Sequence, residues 1–184
     1  MIEPKEFLEF IMKRRSIRRY LKKPISDNDL HMILEAGRWA PSGTNRQPWE
    51  FIVIKNREIM RKIFMNTKEF ALPLRSAHLG IGIVAKISEY KTISNTDEPL
   101  KRQEIKETCL TDCALAAMNM MLMAWSLDIG SCCIGSLNRE YIRKILHMNG
   151  QDYMPYILAF GYIKGELPKP IRRKDLSEIC RYIE

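Results

Sequence analysis

The chain has 184 residues, 46% of them hydrophobic and 28% charged, and a formal net charge of +8. That length and balance suit one domain, 1–184, with a buried core, and exclude a fibrous or disordered chain. Five cysteines, an odd number without a C-x-x-C pair, and three scattered histidines argue against a disulfide framework, a zinc ribbon or a structural metal, and favour reduced, buried thiols.

In chain order, Pro4 to Arg15 carries Phe7, Leu8, Ile11 and Met12 at helical spacing and is predicted as an amphipathic first helix. Glu3, Lys5, Glu6 and Glu9 interrupt any apolar run there, so no signal peptide is expected and the protein is expected in the cytoplasm. KRRSIRRY (Lys13 to Tyr20) follows, and seven basic residues fall between Lys13 and Lys23. Ser26 followed by Asp29 resembles a capping box and starts a second helix with the apolar face Leu30, Ile33 and Leu34. Pro41 and Gly43 stop that helix near Trp39. APSGTNRQPWEF (Ala40 to Phe51) then delivers an irregular loop into a strand at Trp49 to Ile54.

Arg57 to Asn66 is a third helix, and Leu79 to Ala85 reads as a buried strand. Between Ser88 and Arg102 the chain turns polar, the candidate mobile surface segment. The longest helix runs from about Lys101 to Leu127. Its second half, CALAAMNMMLMAW, is apolar all round, which requires burial on every side. That stretch, Cys113 to Trp125, is too short for a bilayer and contains Asn119, so no membrane association is expected. Gly130 is predicted to end the helix. Ser131 to Gly135 is a short strand, Asn138 to Met148 a helix capped by Asn138, and Tyr156 to Tyr162 the last core strand. The sum is an α+β domain whose central helix is hard for so small a domain to wrap alone, so a homodimer with extensive contact is expected.

Two segments carry the chemistry. The arginine block supplies guanidinium groups, and the loop at Pro41 to Asn45 supplies hydroxyl, amide and free backbone donors. A phosphate attached to a planar heterocycle needs both. Four further cations, Lys169, Arg172, Arg173 and Lys174, lie near the C-terminus. Such clusters also occur on nucleic-acid-binding surfaces, but no aromatic residues interleave with the second one, and an anionic small molecule between the two explains both more economically. No Ser/His/Asp or Cys/His arrangement marks a protein acid, base or nucleophile. Met118, Met120, Met121 and Met123 read as core or interface, and Asp112 and Asn119 on that apolar helix need partners if buried.

KRRSIRRY, APSGTNRQPWEF, DCALAAMNMMLMAWSLDIGSCCIGSL and GYIKGELPKPIRRKDL occur in that order. Together, from about Phe7 to Ile179, they resemble the nitroreductase family of FMN-dependent NAD(P)H oxidoreductases. The resemblance implies a mainly antiparallel central sheet surrounded by helices, a long buried central helix, and a domain-entwined homodimer with FMN at its interface. Arg14, Arg15 and Ser16 match the motif that contacts the phosphate and ribityl chain, and Arg18 a basic position near the pyrimidine end of the ring. A cation there favours the reduced, anionic flavin. Pro41, Ser42, Gly43 and Asn45 match the loop that reaches the same flavin from the partner subunit, with Gln47 and Trp49 structural. Cys133, Ile134 and Gly135 fall where the family places backbone beside flavin N5. Arg172 or Arg173 matches an arginine that closes on the phosphate, with Lys169 able to assist.

The implied reaction is ping-pong: hydride passes from NAD(P)H through the flavin to a small planar acceptor, a nitroaromatic or quinone. Two alternatives from other classes are a flavin-binding carrier or sensor that never turns over, and a basic nucleic-acid-binding dimer.

Overall fold

The structure is a computed structural model and describes residues 2–67, 69–87, 99–150 and 152–183. Its framework is four strands, β1 (Trp49–Ile54), β2 (Leu79–Ala85), β3 (Ile129–Ile134) and β4 (Tyr153–Tyr162). LGIGIVA in β2 is buried along its whole length, as a strand covered on both faces must be. It therefore lies inside the sheet, whose order is β1-β2-β4-β3 with every pairing antiparallel. The register sets Trp49 opposite Ala85, Ile81 opposite Leu158 and Cys132 opposite Ala159.

Among the described residues the helices are α1 (Pro4–Lys13), α2 (Asp27–Arg38), α3 (Arg57–Met65), α4 (Pro99–Ser126), α5 (Arg139–Ile145) and α6 (Leu176–Ile179). Alternation along β2 sends Leu79, Ile81, Ile83 and Ala85 to one face of the sheet. They pack there with Ile33 of α2 and Cys109, Cys113, Ala117 and Met120 of α4. Val84, Ile157 and Ala159 face the other way, toward Met60 and Ile63 of α3 and Ile142 of α5. The α+β fold with an antiparallel sheet is thus present, layered between two sets of helices.

Several boundaries differ from expectation for identifiable reasons. Helix α1 stops at Lys13, two residues early, because Arg14 is extended (φ −58°, ψ 135°) and the chain leaves to pair with the sheet. Gly130 does not end α4. The helix stops at Ser126, the reversal uses Asp128 at φ 57°, and Gly130 lies within β3. β4 starts at Tyr153 rather than Tyr156. It tolerates Pro155 because the β2–β4 register slips there, between Ile83 and Ala85, where a missing N–H breaks no ladder. Helix α5 is Arg139–Ile145, shorter than the expected run to Met148, with Asn138 Oδ1 accepting from Tyr141 N at 3.2 Å. The polar segment from Ser88 lies outside the described residues as far as position 98.

Helix α4 is not buried on every side by its own chain. Its covered stripe is Ile105, Cys109, Asp112, Cys113, Ala116, Ala117, Met120 and Ala124, whereas Leu115 is 41% exposed. By length and composition alone its Gln103–Ser126 stretch could cross a membrane, which the shorter Cys113–Trp125 run could not. However, its covered stripe is core to the sheet, as in the interior helix of a folded domain.

Candidate functional site

The arginine block is held by a patch of sheet that has no side chains. Gly130 and Gly161 are cross-strand partners in β3 and β4. A Cβ on Gly130 would come within 2.7 Å of Ile17, and one on Gly161 within 2.8 Å of Tyr20. The two glycines therefore form a floor on which Ile17 and Tyr20 lie, both almost completely buried. Main-chain bonds fix the register: Ile17 N donates to Ser131 O at 2.9 Å and Leu21 N to Tyr162 O at 2.8 Å. The Tyr20 hydroxyl donates to Ile17 O at 2.5 Å and also lies 3.2 Å from Ala159 O. Burial pushes that phenol well above its ordinary range, so it stays a donor. With Ile17 and Tyr20 turned inward, Arg18 and Arg19 stay at the surface.

Beside this segment lies a cavity of about 470 Å³ lined by Arg14, Arg15, Ser16, Arg18, Met118, Lys169 and Arg173, among others. Residues more than 150 positions apart in sequence converge on it. A second cavity of about 350 Å³ is lined by Arg18, Leu72, Pro73 and Cys132 through Ser136. Arg18 belongs to both walls, so the two spaces adjoin at its side chain. Burial, and then the charge of Arg173, hold the Arg14 guanidinium below its usual pKa, as expected for a partly buried cation beside a second one. Among the described residues the ion pairs leave Arg14, Arg15, Arg18 and Arg173 unengaged; Arg172 instead faces Asp175 at 3.9 Å and is highly exposed. Of the two C-terminal arginines expected at the phosphate, Arg173 lines the cavity and Arg172 does not.

The loop at Pro41 to Asn45 does not line either cavity of its own chain. It is closed on itself: Ser42 Oγ accepts from Gln47 N at 2.9 Å, Asn45 N donates to Ser42 O at 3.0 Å, and Gln47 Nε2 donates to Asn45 O at 3.1 Å. Thr44, Asn45 and Gln47 all have positive φ, at 50°, 55° and 51°, each costing about 1 kcal/mol or more for a residue with a side chain. Both oxygens of Asp112, a buried carboxylate on α4, lie 3.3 Å from Gly43 N. Asn119, the other polar residue flagged on that helix, donates to Ala36 O at 3.1 Å.

Cys132 is buried and Cys133 exposed, as adjacent residues on one strand require. Although part of the residue reaches solvent, loss of hydration at the sulfur, and then Cys132, push the Cys133 thiol up to about 11 against the pull of Arg14. Such a thiol is protonated at neutral pH and a poor nucleophile. Sequence reasoning overlooked the glycine floor, the Leu72–Pro73 wall and the Asp112–Gly43 tie. Only the last had a visible signal, a lone acid within an apolar helical stretch.

The family model for nitroreductases matches residues 11–81 and 81–162. The chain belongs to the nitroreductase family. An Archaeoglobus fulgidus protein with the provisional name NADH dehydrogenase/NAD(P)H nitroreductase is 33% identical over 88% of this chain and 87% of its own length. The solved structure of an FMN-dependent nitroreductase from Clostridium difficile superposes with a TM-score of 0.78 at 26% identity, covering 95% of this chain and 98% of that one. Nitroreductase A from Vibrio parahaemolyticus shares the nitroreductase fold at a TM-score of 0.85 and 20% identity, over 95% of this chain and 74% of that one.

Proposed function

We propose that this chain is an FMN-dependent oxidoreductase that passes hydride from NAD(P)H to a small planar acceptor, a nitroaromatic or quinone, with donor and acceptor using one site in turn. The observation that carries the reading is the convergence of Arg14, Arg15, Ser16 and Arg18 with Lys169 and Arg173 on one cavity. That cavity adjoins, at Arg18, the space beside Cys132 to Ser136. The donor set fits a flavin nucleotide: guanidinium and ammonium groups for the phosphate, a hydroxyl at Ser16, and main chain at the glycine end of β3 for the ring.

In this assignment Arg14, Arg15, Lys169 and Arg173 hold the phosphate and Ser16 the adjoining chain. Arg18 places positive charge at the pyrimidine end of the ring. The backbone at Ile134 and Gly135, with Cys133 before them, lies along its reactive edge. When bound, FMN supplies the hydride chemistry itself. The protein orients the reactants and leaves Cys133 protonated and passive.

The working form in this reading is a cytoplasmic, entwined homodimer, in which Pro41, Ser42, Gly43 and Asn45 serve the partner's flavin. Support comes from surface that a lone chain leaves wet: Leu115 on α4, Phe7, Leu8 and Met12 on α1, Trp39, and Leu167, Ile171, Leu176 and Ile179 on the C-terminal segment. Apolar exposure on this scale marks an interface.

The test is spectroscopic. Protein reconstituted with FMN should be yellow, bleach under anaerobic NADH or NADPH, and regain colour on adding a quinone. Yellow protein that never bleaches would make it a carrier. Colourless protein that binds DNA in a salt-sensitive way would overturn the flavin reading altogether.

A further inference from the structure

We propose that Asp112 is a positioning residue for the cofactor loop: its buried carboxylate holds the Gly43 N–H and keeps the Pro41 to Gln47 loop, with Thr44, Asn45 and Gln47 at positive φ, in the conformation that presents Ser42 and Asn45. The inference rests on the reading of that loop as a flavin contact given above.

Asp112 is 4% exposed and belongs to the same covered stripe of α4 as Cys109 and Cys113. A carboxylate is costly to place there unless it meets donors, and a charged acceptor on a main-chain N–H makes a stronger hydrogen bond than a neutral one. One such donor is the main-chain N–H of Gly43, 69 positions away. On the loop side, three residues with side chains stand at positive φ, and backbone of that kind persists only where its surroundings hold it. The bonds through Ser42, Asn45 and Gln47 close the loop on itself. The Gly43–Asp112 contact ties that closed loop to the core. Helix α4 also carries Met118, which lines the arginine cavity. One helix therefore carries both the tie to the loop and part of the wall of the arginine cavity. Gly43, Thr44 and Asn45 remain exposed, so the tie leaves the presenting side of the loop free.

The experiment uses the full chain with Asp112→Asn and Asp112→Ala, and Ala116→Gly as a control that loosens the same helix while leaving the Asp112 carboxylate in place. In the wild type, hydrogen exchange at Gly43 N–H should be slow despite its exposed setting, and Asp112→Ala should speed it by about tenfold or more. FMN affinity should fall about ten- to a hundredfold in Asp112→Ala and by less in Asp112→Asn, which retains one acceptor oxygen. The flavin midpoint potential and visible band should shift in both Asp112 variants and stay put in Ala116→Gly at a comparable loss of melting temperature.

Rapid Gly43 exchange in the wild type would overturn the proposal. So would Asp112 variants that hold FMN as well, and at the same potential, as the control. If Asp112→Ala fails to fold, Asp112→Asn and the wild-type exchange still decide. Should the wild-type chain take up no FMN, the flavin reading falls, and the Gly43 exchange alone decides for or against Asp112.

Discussion

The arginine segment and the Pro41–Gln47 loop are both irregular stretches of similar length, yet opposite devices hold them. Arg14 to Tyr20 is fixed by apolar burial: Ile17 and Tyr20 lie on two facing glycines, and the cations project from what remains. The loop buries almost nothing. It is fixed by hydrogen bonds across a left-handed backbone and by the Asp112 carboxylate. Phosphate chemistry needs several charges held at one fixed spacing, which a packed floor supplies. In the proposed assignment, ring edges need donors at a free surface, which a closed but exposed loop can supply.

The strongest way to break the first device is Gly161→Ala. The new methyl would meet the Cβ, Cγ and Cδ1 of Tyr20 at 2.8 to 2.9 Å, atoms near the base of the ring that cannot swing away. A loss of about 3 kcal/mol is expected in denaturant unfolding, together with loss of FMN binding. Arg14→Ala leaves the floor intact and removes one charge from the cavity, so flavin affinity should weaken by about 2 kcal/mol, roughly thirtyfold, with little change in unfolding. Its titration by fluorescence quenching separates charge from scaffold. Tyr20→Phe keeps the ring on its glycine and deletes only the donor to Ile17 O and Ala159 O; about 1 kcal/mol of stability should go.

The smallest effect is expected from thiol reagents. Because the Cys133 thiol is raised to about 11, it stays almost wholly protonated as pH climbs through 8; its small thiolate fraction grows about tenfold per unit below that value and levels off once pH passes it. Peptide mapping after iodoacetamide treatment at pH 8 should therefore find Cys133 modified slowly, behind exposed Cys180. Equal labelling would show that Cys133 is a reactive thiol after all.

Much of this was legible in the residues because it is local. Helical spacing in α1 to α3, the β-branched strands and the cation block each declare themselves within a window of a dozen positions. What stayed hidden depends on partners far along the chain. Gly130 follows an apolar helix, the usual place for a C-terminal cap, and only Ile17 lying across it reveals that the glycine serves packing instead. Pro155 hid the first residues of β4, since the slip that tolerates a proline is a property of the paired strands. Asp112 could be marked as a buried polar residue in need of a partner, but nothing in its neighbourhood points to Gly43. Likewise, that Arg173 and not Arg172 lines the cavity depends on which way the C-terminal segment turns.

Arg18 stands where the two cavities meet, and that position limits how the protein can be engineered. On the proposed flavin assignment, the Arg18 side chain is shared by the anchoring end and the reactive end and cannot be altered for one purpose alone. Libraries that vary position 18 to retune driving force will also change how long the prosthetic group stays put, and the two traits will drift together among the selected clones. Diversity placed at Leu72 and Pro73, which line the smaller cavity and not the arginine cavity, would escape that linkage.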